Sequence, residues 1–223
     1  MTNDERTEDA ANGAFPTRFR QVGSGTPVDG ASTVTLSIGA AFSIEVASSH
    51  GLEAPVASML GQLVLQSHEP DEAAALDVMR RSHGQLSAAL VLSDRGLFEI
   101  YKAVCQLRGV RVTCRSAGQV GLSATRAQSP ESARAISIFC GLLGDAAGLA
   151  ALAYGSSGGV FVKGAIVAQL GDAFVRSPFR RRFEGVGLLR DVLRAIPTFA
   201  SSAWQHNSAA PGLQAGVIQY RTR

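Results

Sequence analysis

Two glycine turns flank a short apolar run in residues 154–169, and they carry the first chemistry that the sequence offers. Gly158 and Gly159 come directly before the apolar residues 160–162, and Gly164 follows soon after them. Glycines at such turns let backbone amides approach a ligand that a Cβ would exclude. Tight packing of a helix on a strand requires the same residues, so spacing alone leaves both interpretations open.

A cluster of arginines follows this segment and is the only local concentration of charge in the sequence. Its members are Arg176, Arg180, Arg181, Arg182, Arg190 and Arg194. Their i, i+4 spacing around Phe179 and Phe183 predicts an amphipathic helix with a solvated basic face. No aromatic platform lies on the charged side, and 21 basic residues barely exceed 18 acidic ones. The sequence therefore indicates no nucleic-acid partner.

The side chains that commonly bind metals or act as nucleophiles are dispersed. Three cysteines lack C-x-x-C spacing and four histidines lack ligand spacing: Cys105, Cys114, Cys140, His50, His68, His83 and His206. Neither a zinc site nor a disulfide framework is expected. We interpret the cysteines as reduced, mostly buried thiols of a cytosolic protein, expect surface or capping roles for the histidines, and predict no metal site.

The glycine turns must be positioned by the elements around them. A crossover in an α/β sheet has this order of elements: helix, glycine turn, buried strand, glycine turn and helix. Upstream, residues 33–38 and 42–47 alternate as strands around a hairpin-length turn at Gly39. Residues 62–66 are a third candidate strand. A meander of three strands, followed by helices and then by strand–helix–strand–helix, predicts an α/β domain.

Helices are predicted between and after these strands. Pro70 opens one, Ser93 or Asp94 caps the next, and Ser129-Pro130 begins a long helix that is apolar over most of its circumference and therefore buried. Residues 108–128 are interpreted as an irregular loop. The later elements are a helix over 167–176 stopped by Pro178, a short basic helix, a strand at 198–200 and a closing helix over 211–220.

Composition places the chain among globular proteins. Its 223 residues, 46% hydrophobic and 17% charged, can bury a sizeable core. Residues 1–30 are polar and show no sustained period, so we expect an N-terminal extension with at most a short helix and no signal peptide. No apolar run approaches the roughly 20 residues of a membrane span, and no membrane partner is expected.

Several stretches resemble, in order, motifs of the bacterial glucokinases of the hexokinase superfamily. Residues 158–166, Gly-Gly-Val-Phe-Val-Lys-Gly-Ala-Ile, are similar to that family's Gly-Gly-x-x-x-x-Gly-Gly-Ile near the adenosine site. Residues 91–101 resemble its Val-Leu-Ser-Gly-x-Gly-Leu-x-x-x-Tyr. Residues 177–187 resemble the family's basic helix and the turn after it. Ile196-Pro197 and Pro211-Gly212-Leu213 resemble its last strand and the start of its last helix. The resemblance implies a ribonuclease-H-like (actin-like ATPase) α/β domain, with a mixed five-stranded sheet and helices packed on it, over residues 31–223.

The resemblance also implies where ATP with Mg²⁺ would bind, if any binding survives. The family's glycine-rich phosphate hairpin corresponds to residues 37–43, which keep Gly39 but carry Ala40 and two bulky neighbours, so an ordinary hairpin turn is favoured. Lys163 could meet a phosphate, and a solvated surface lysine is the alternative. The nucleotide positions are Gly39, Ala40, Gly158, Gly159, Lys163 and Gly164.

The sugar ligands of the family correspond to residues that cannot replace them. Its Asn-Asp dipeptide, whose Asp is the catalytic base, would fall on Asn3-Asp4 in the acidic tail, where Asp4 is either the base or a solvated carboxylate. A Glu and a His correspond to Met59 and Gln62, and a second Glu corresponds to Ala89. Met and Ala side chains accept no hydrogen bonds from sugar hydroxyls, so glucose is not expected to bind usefully.

These replacements predict a truncated glucokinase-family protein of the cytoplasm that is catalytically impaired or inactive alone. The family activity is the ATP-dependent phosphorylation of glucose to glucose 6-phosphate, and complete members are commonly homodimers. One alternative is half of a split kinase whose partner supplies the base and the first phosphate loop. The other is an interaction or dimerisation module, or a regulatory pseudokinase partner of an active sugar kinase.

Overall fold

The fold is built around one mixed sheet, seen in a computed structural model that describes residues 18–47, 59–63 and 65–202. The strands are β1 (Arg18–Val22), β2 (Thr33–Ile38), β3 (Phe42–Ala47), β4 (Gly159–Gly164) and β5 (Thr198–Ser202). Their order is β1-β5-β4-β2-β3. The central strands β2, β4 and β5 are parallel, and each edge strand is antiparallel to its neighbour. The predicted mixed five-stranded sheet is therefore confirmed.

Helices and one 3-10 turn connect the strands. They are the turn Met59–Gln62, α1 (Pro70–His83), α2 (Ala88–Val91), α3 (Asp94–Leu107), α4 (Ala117–Thr125), α5 (Pro130–Ala153), α6 (Ala165–Leu170), α7 (Asp172–Val175), α8 (Phe179–Glu184) and α9 (Arg190–Ala195). Serines cap four of them, because each hydroxyl accepts a hydrogen bond from the backbone N–H three residues later. The capping residues are Ser87, Ser93, Ser116 and Ser129.

Helix α5 lies at the centre of the core. It packs on β2 and β4 and contacts α3, α4 and α8. By length and composition α5 could cross a membrane, contrary to the expectation that no apolar run was long enough. However, 78% of its most apolar window is buried inside the fold. A helix that is apolar on most sides and covered by other elements is a core helix, as the sequence predicted.

Glycines on α5 let α8 approach at backbone distance. A Cβ on Gly144 would lie 2.3 Å from the carbonyl oxygen of Phe179, and a Cβ on Gly148 would lie 2.7 Å from that of Phe183. Both phenylalanine side chains are completely buried. The short contact between the helices therefore inserts the aromatic face of α8 into the core.

Two segments that were predicted to be irregular contain regular structure, one a strand and the other a helix. Residues 18–22, within the predicted extension, form β1 and pair with β5. An edge strand needs few buried side chains, so its sequence shows little apolar alternation. Residues 117–125 form α4, whose buried face consists largely of small residues such as Ala117 and Gly121. This face carries no period of large apolar residues, which explains the wrong prediction of a loop.

Two other predictions need correction, and a third concerns residues that lie outside the described part of the chain. The described residues of the predicted strand at 62–66 are not in a strand, and the carbonyl of Leu63 instead accepts a hydrogen bond from the N–H of Ala88 at the start of α2. The predicted helix over 167–176 is divided at Gly171, whose φ of 50° breaks the helical path. The closing helix at 211–220 lies outside the described residues.

Candidate functional site

The carboxyl ends of β2, β4 and β5 lie at one edge of the sheet, which we call the carboxyl edge. Ligands of open α/β sheets bind outside this edge. Strands β2 and β4 end together, because Ile38 is the register partner of Gly164. The hairpin turn at Gly39 and Ala40 therefore lies beside Lys163 and Gly164. The structure brings these four predicted nucleotide positions together.

The charges at the carboxyl edge do not suit a phosphate. The backbone N–H of Asp94 donates to the carbonyl oxygen of Gly39 at 2.8 Å, so the acidic first turn of α3 lies beside the hairpin turn. Lys163 Nζ lies 3.5 Å from Glu45 Oε2. A phosphate bound here would meet a lysine that already has an anionic partner, beside a helix whose first residue is an aspartate.

Gly164 holds β4 against its neighbours. A Cβ at this position would lie 2.4 Å from the carbonyl oxygen of Ile38. The N–H of Gly164 donates to Ser201 Oγ, and the same hydroxyl lies within hydrogen-bond distance of the Gly164 carbonyl, both at 3.3 Å. Packing alone therefore requires glycine here, and its amide is already engaged.

Gly158 and Gly159 lie at the other end of β4. A six-residue strand is about 16 Å long, so these two glycines are separated from Gly164 by most of that length. A Cβ on Gly158 would lie 2.6 Å from the carbonyl oxygen of Ala31, and Gly159 has a φ of 127°. The structure thus does not place them with the other nucleotide positions, and close packing accounts for both glycines.

The positions that correspond to sugar ligands lie near one another. The 3-10 turn Met59–Gln62 contacts β3 and α2, and a Cβ on Gly61 would lie 3.6 Å from the Cβ of Ala89. Gln62 is exposed and Ala89 is partly buried. The structure therefore brings the turn and Ala89 together beside β3. Asn3 and Asp4 lie outside the described residues.

Metal-ligand clusters and activated thiols are not found in the described part of the chain. It contains no group of three or more His, Cys, Asp or Glu side chains arranged to hold a metal ion. All three cysteines are buried and free. Burial raises the pKa of the Cys140 thiol to about 12 and also raises that of Cys105. Such thiols remain protonated and unreactive at neutral pH.

Two arginines of the predicted basic face are buried, which corrects the expectation of a solvated cluster. Arg182 donates hydrogen bonds to both Glu72 and Asp145, and Arg180 donates to the carbonyl oxygen of Ile196. Burial lowers the pKa of Arg180. Burial also opposes the charge on Arg182, but the hydrogen bonds and charges of Asp145 and Glu72 raise its pKa above the usual value. These guanidinium groups hold the fold together and are not available to a ligand.

A groove of about 850 Å³ lies at the opposite, amino edge of the sheet. It is lined by the loop that precedes β2, the end of α5 and the helix α9. Its lining combines apolar side chains, including Val28, Leu152 and Val192, with polar ones. The sequence did not reveal this groove, because three segments that are distant in the sequence form it.

Comparison with known proteins gives consistent matches. A family model described as Glucokinase matches residues 9–213. The glucokinase of Aromatoleum aromaticum is 35% identical over 182 residues, which are 81% of this chain and 55% of that protein. The glucokinase of Paramagnetospirillum magneticum is 32% identical over 82% of this chain and 58% of its own length. The chain thus spans little more than half the length of these relatives.

Solved structures share the fold. A glucokinase from an Antarctic psychrotroph superposes with a TM-score of 0.74 at 24% identity, over 84% of this chain and 58% of its own. A glucokinase from Balamuthia mandrillaris, solved in complex with glucose, gives a TM-score of 0.69 at 15% identity, over 88% of this chain and 58% of its own. These similarities, with the mixed sheet of order β1-β5-β4-β2-β3, confirm the predicted actin-like ATPase fold.

Proposed function

Because this chain belongs to the glucokinase family, we propose that it is a member whose sugar and phosphate positions no longer support catalysis by this chain alone. Phosphorylation of glucose by ATP, the activity that the family name implies, is then impaired or absent. The observation that carries the proposal is the set of residues found at and near the carboxyl edge. The hairpin turn and the first turn of α3 lie there, the 3-10 turn contacts β3, and all three carry unsuitable residues.

The sugar positions support this proposal energetically. Met59 and Ala89 stand where the family motifs have carboxylates; the methionine sulfur is only a weak hydrogen-bond acceptor, and the alanine side chain has no polar atom. Each lost hydrogen bond to a charged group costs about 1.5–3 kcal/mol. Two such losses weaken binding by roughly a hundredfold to ten-thousandfold. Glucose in the family's binding mode is therefore bound too weakly to be a substrate.

The charged residues near the phosphate position also support the proposal of impaired catalysis. Asp94 stands where the family motif has glycine, and its backbone N–H donates to the hairpin turn that would cradle the phosphates. Lys163 is paired with Glu45. Any ATP–Mg²⁺ that binds at this edge is therefore held weakly.

A coupled assay of glucose- and ATP-dependent ADP release tests the proposal. With the glucokinase of Aromatoleum aromaticum as the positive control, we expect the rate of the purified chain to be at least about a hundredfold lower. The loss follows from the missing sugar ligands and therefore persists at saturating ATP. A rate within tenfold of the control would contradict the proposal.

Removing the carboxylate of Asp94 is expected to improve nucleotide binding. A unit charge about 6 Å from a phosphate, at an effective dielectric constant of about 40, contributes about 1.4 kcal/mol. Asp94→Asn should therefore lower the ATP–Mg²⁺ concentration that half-saturates the thermal shift by about tenfold. The measurement is a titration followed by differential scanning fluorimetry.

The matched control for this titration is Asp29→Asn. Asp29 is an exposed carboxylate, but it precedes β2 and lies toward the amino edge. Its neutralisation changes the net charge by the same amount and should leave the half-saturating concentration unchanged. If both variants respond equally, the effect comes from overall charge, and the carboxyl edge is not the nucleotide site.

One observation favours the alternative role as an interaction module. Large apolar side chains stand exposed on and just before α9, at the edge opposite the candidate nucleotide site. Surfaces of this kind mark sites of protein association. The role would be exercised in the cytoplasm, a location that we propose because the three described cysteines are free and buried.

A further inference from the structure

Helix α9 and the turn before it present an apolar surface, which we call the α9 surface. Leu188 is 100% exposed and Val186 is 91% exposed, while Leu189 and Val192 are about half exposed. Single exposed apolar residues are ordinary, but four within seven residues form a continuous patch. Such patches contact either another protein or a membrane, and the shape and charge of the α9 surface distinguish these two partners.

The turn at the tip of this surface stands clear of the fold. Gly185 and Gly187 flank Val186, with φ angles of 61° and 90°. A Cβ added at either glycine would meet no atom of the described residues within 4 Å. Val186 and Leu188 are therefore carried on a protruding turn. Headgroups and acyl chains can close around a protruding apolar side chain, whereas a folded protein needs a preformed pocket for it.

The exposed charges beside this turn are mostly basic. Glu184, which ends α8, is partly buried and pairs with Arg180 at 2.9 Å. Arg190 and Arg194 lie four residues apart, on one side of α9. The exposed charged residues over 176–195 are four arginines and one aspartate: Arg176, Arg181, Arg190, Arg194 and Asp191. This excess of positive charge complements an anionic phospholipid surface, which attracts arginines that lie within about a Debye length of it.

A peripheral contact of this kind needs no membrane-spanning segment. The expectation of no membrane partner followed from the length of such segments, which is roughly 20 apolar residues. A surface contact needs only a few apolar side chains with basic neighbours. The α9 surface lies at the amino edge, where Val192 and Arg194 also line the groove. Docking through it therefore leaves the carboxyl edge in solvent.

We propose that the α9 surface docks this chain on a bilayer that contains anionic phospholipids. Val186 and Leu188 enter the boundary between headgroups and acyl chains, while Arg190 and Arg194 lie at the level of the lipid phosphates. The cytoplasmic leaflet, which carries anionic lipids, is the surface of this kind that a cytoplasmic chain meets. Docking needs neither nucleotide nor glucose, so it is independent of the proposed loss of kinase activity.

Co-sedimentation of the full chain with extruded vesicles, without ATP or glucose, tests the docking. Vesicles of phosphatidylcholine with about 30% phosphatidylglycerol should bind the chain at least about tenfold more strongly than vesicles of phosphatidylcholine alone, because two arginines contribute about fivefold each. Raising the salt concentration from about 0.1 M to about 1 M shortens the Debye length from about 10 Å to about 3 Å, and it should remove most of this difference.

Leu188→Glu should weaken partitioning into the anionic vesicles by at least about tenfold, because it removes a leucine from the boundary and places a carboxylate there. The Leu188 side chain is fully exposed, so the variant keeps its melting temperature. Leu122→Glu, at a leucine that is 42% exposed, is the matched control and should change partitioning by less than about twofold. Leu122 belongs to α4, which contacts α6 beyond the carboxyl end of β4.

Neutralising one arginine tests the role of charge. Arg190→Gln should weaken partitioning into the anionic vesicles by about fivefold and leave partitioning into phosphatidylcholine unchanged. Arg126→Gln, at an exposed arginine that follows α4, changes the net charge by the same amount and should have little effect on either kind of vesicle.

Several results would overturn the proposal. One is the absence of binding to anionic vesicles at about 1 mM accessible lipid, a concentration that would detect even the affinity of a single acyl anchor. Equal binding to both kinds of vesicle, or binding that tolerates Leu188→Glu, would also contradict it. If the chain ignores vesicles but binds an active glucokinase, and Leu188→Glu prevents this, the surface serves a protein and the membrane proposal is wrong. The ATP–Mg²⁺ thermal shift should be unchanged by Leu188→Glu, so the two proposals can fail separately.

Discussion

Arg182→Ala is expected to lower the free energy of unfolding by about 3–5 kcal/mol, because it removes the arginine from a buried ion-pair network. Arg182 Nη1 lies 2.8 Å from Glu72 Oε2, and Arg182 Nε lies 2.8 Å from Asp145 Oδ1. The side chain of Glu72 is only 2% exposed. Truncation of the arginine leaves this carboxylate buried without its counterion, and the desolvation penalty is then uncompensated.

The substitution also breaks a connection between three helices. Glu72 belongs to α1, Asp145 to α5 and Arg182 to α8, so one guanidinium group joins elements that are distant in the sequence. A second hydrogen bond to each carboxylate makes both contacts bidentate. Bidentate geometry fixes the orientation of the partners as well as their distance. The loss should therefore appear as reduced global stability, with the unfolding transition still cooperative.

The neighbouring arginine supplies the matched control. The side chain of Arg181 is 72% exposed and lies 3.5 Å from the partly exposed Glu69. Arg181→Ala should change the free energy of unfolding by no more than about 0.5 kcal/mol. Urea denaturation followed by circular dichroism measures both variants. Equal losses in the two variants would show that the buried contacts of Arg182 do not support the fold.

The elements predicted correctly are those with strong local signals. The strand β4 is a short apolar run between glycines, and β2 and β3 alternate around a hairpin turn. Helix α5 has Ser129 as its cap, proline in its first turn and apolar residues on most sides. In each case the local preference agrees with the environment in the fold, so periodicity and capping residues were sufficient.

The buried arginines were missed because their environment is created by distant residues. The local pattern of α8, basic residues around Phe179 and Phe183, is that of a surface helix. Its partner Glu72 lies 110 residues away, and Asp145 lies 37 residues away. No spacing rule connects such positions. An acidic residue in the first turn of α1 and an aspartate on an apolar helix were the available hints, and their pairing with Arg182 becomes visible only once the helices pack.

For the candidate site too, the sequence could predict some features but not others. Gly39, Lys163 and Gly164, which resemblance to family motifs grouped as nucleotide positions, lie near one another because they stand at the ends of adjacent parallel strands. The resemblance also grouped Gly158 with them, although this residue lies a strand's length away. Proximity along the sequence does not distinguish the two ends of a strand. The contribution of Asp94 was missed because its link to the hairpin turn is a backbone hydrogen bond between distant segments.

Gly144→Ala is expected to destabilise the protein by about 2–3 kcal/mol, although alanine is the better helix former. The added methyl group would lie 2.3 Å from the carbonyl oxygen of Phe179 and 3.0 Å from the Cβ of Arg182. Side-chain rotation cannot move either atom away, because the oxygen belongs to the backbone and the Cβ is bonded directly to it. Helix α8 must therefore move outward, which loosens the packing of Phe179 and the hydrogen bonds of Arg182.

Gly118→Ala separates this packing effect from helix propensity. Gly118 also lies within a helix, α4, but the nearest atom to an added Cβ is 3.9 Å away, which is an ordinary contact. This substitution should stabilise the protein by up to about 1 kcal/mol, because only the propensity term changes. Thermal and urea unfolding measure both variants. Stabilisation by Gly144→Ala would mean that α5 and α8 do not meet at backbone distance, and that the burial of Arg182 between them is wrong as well.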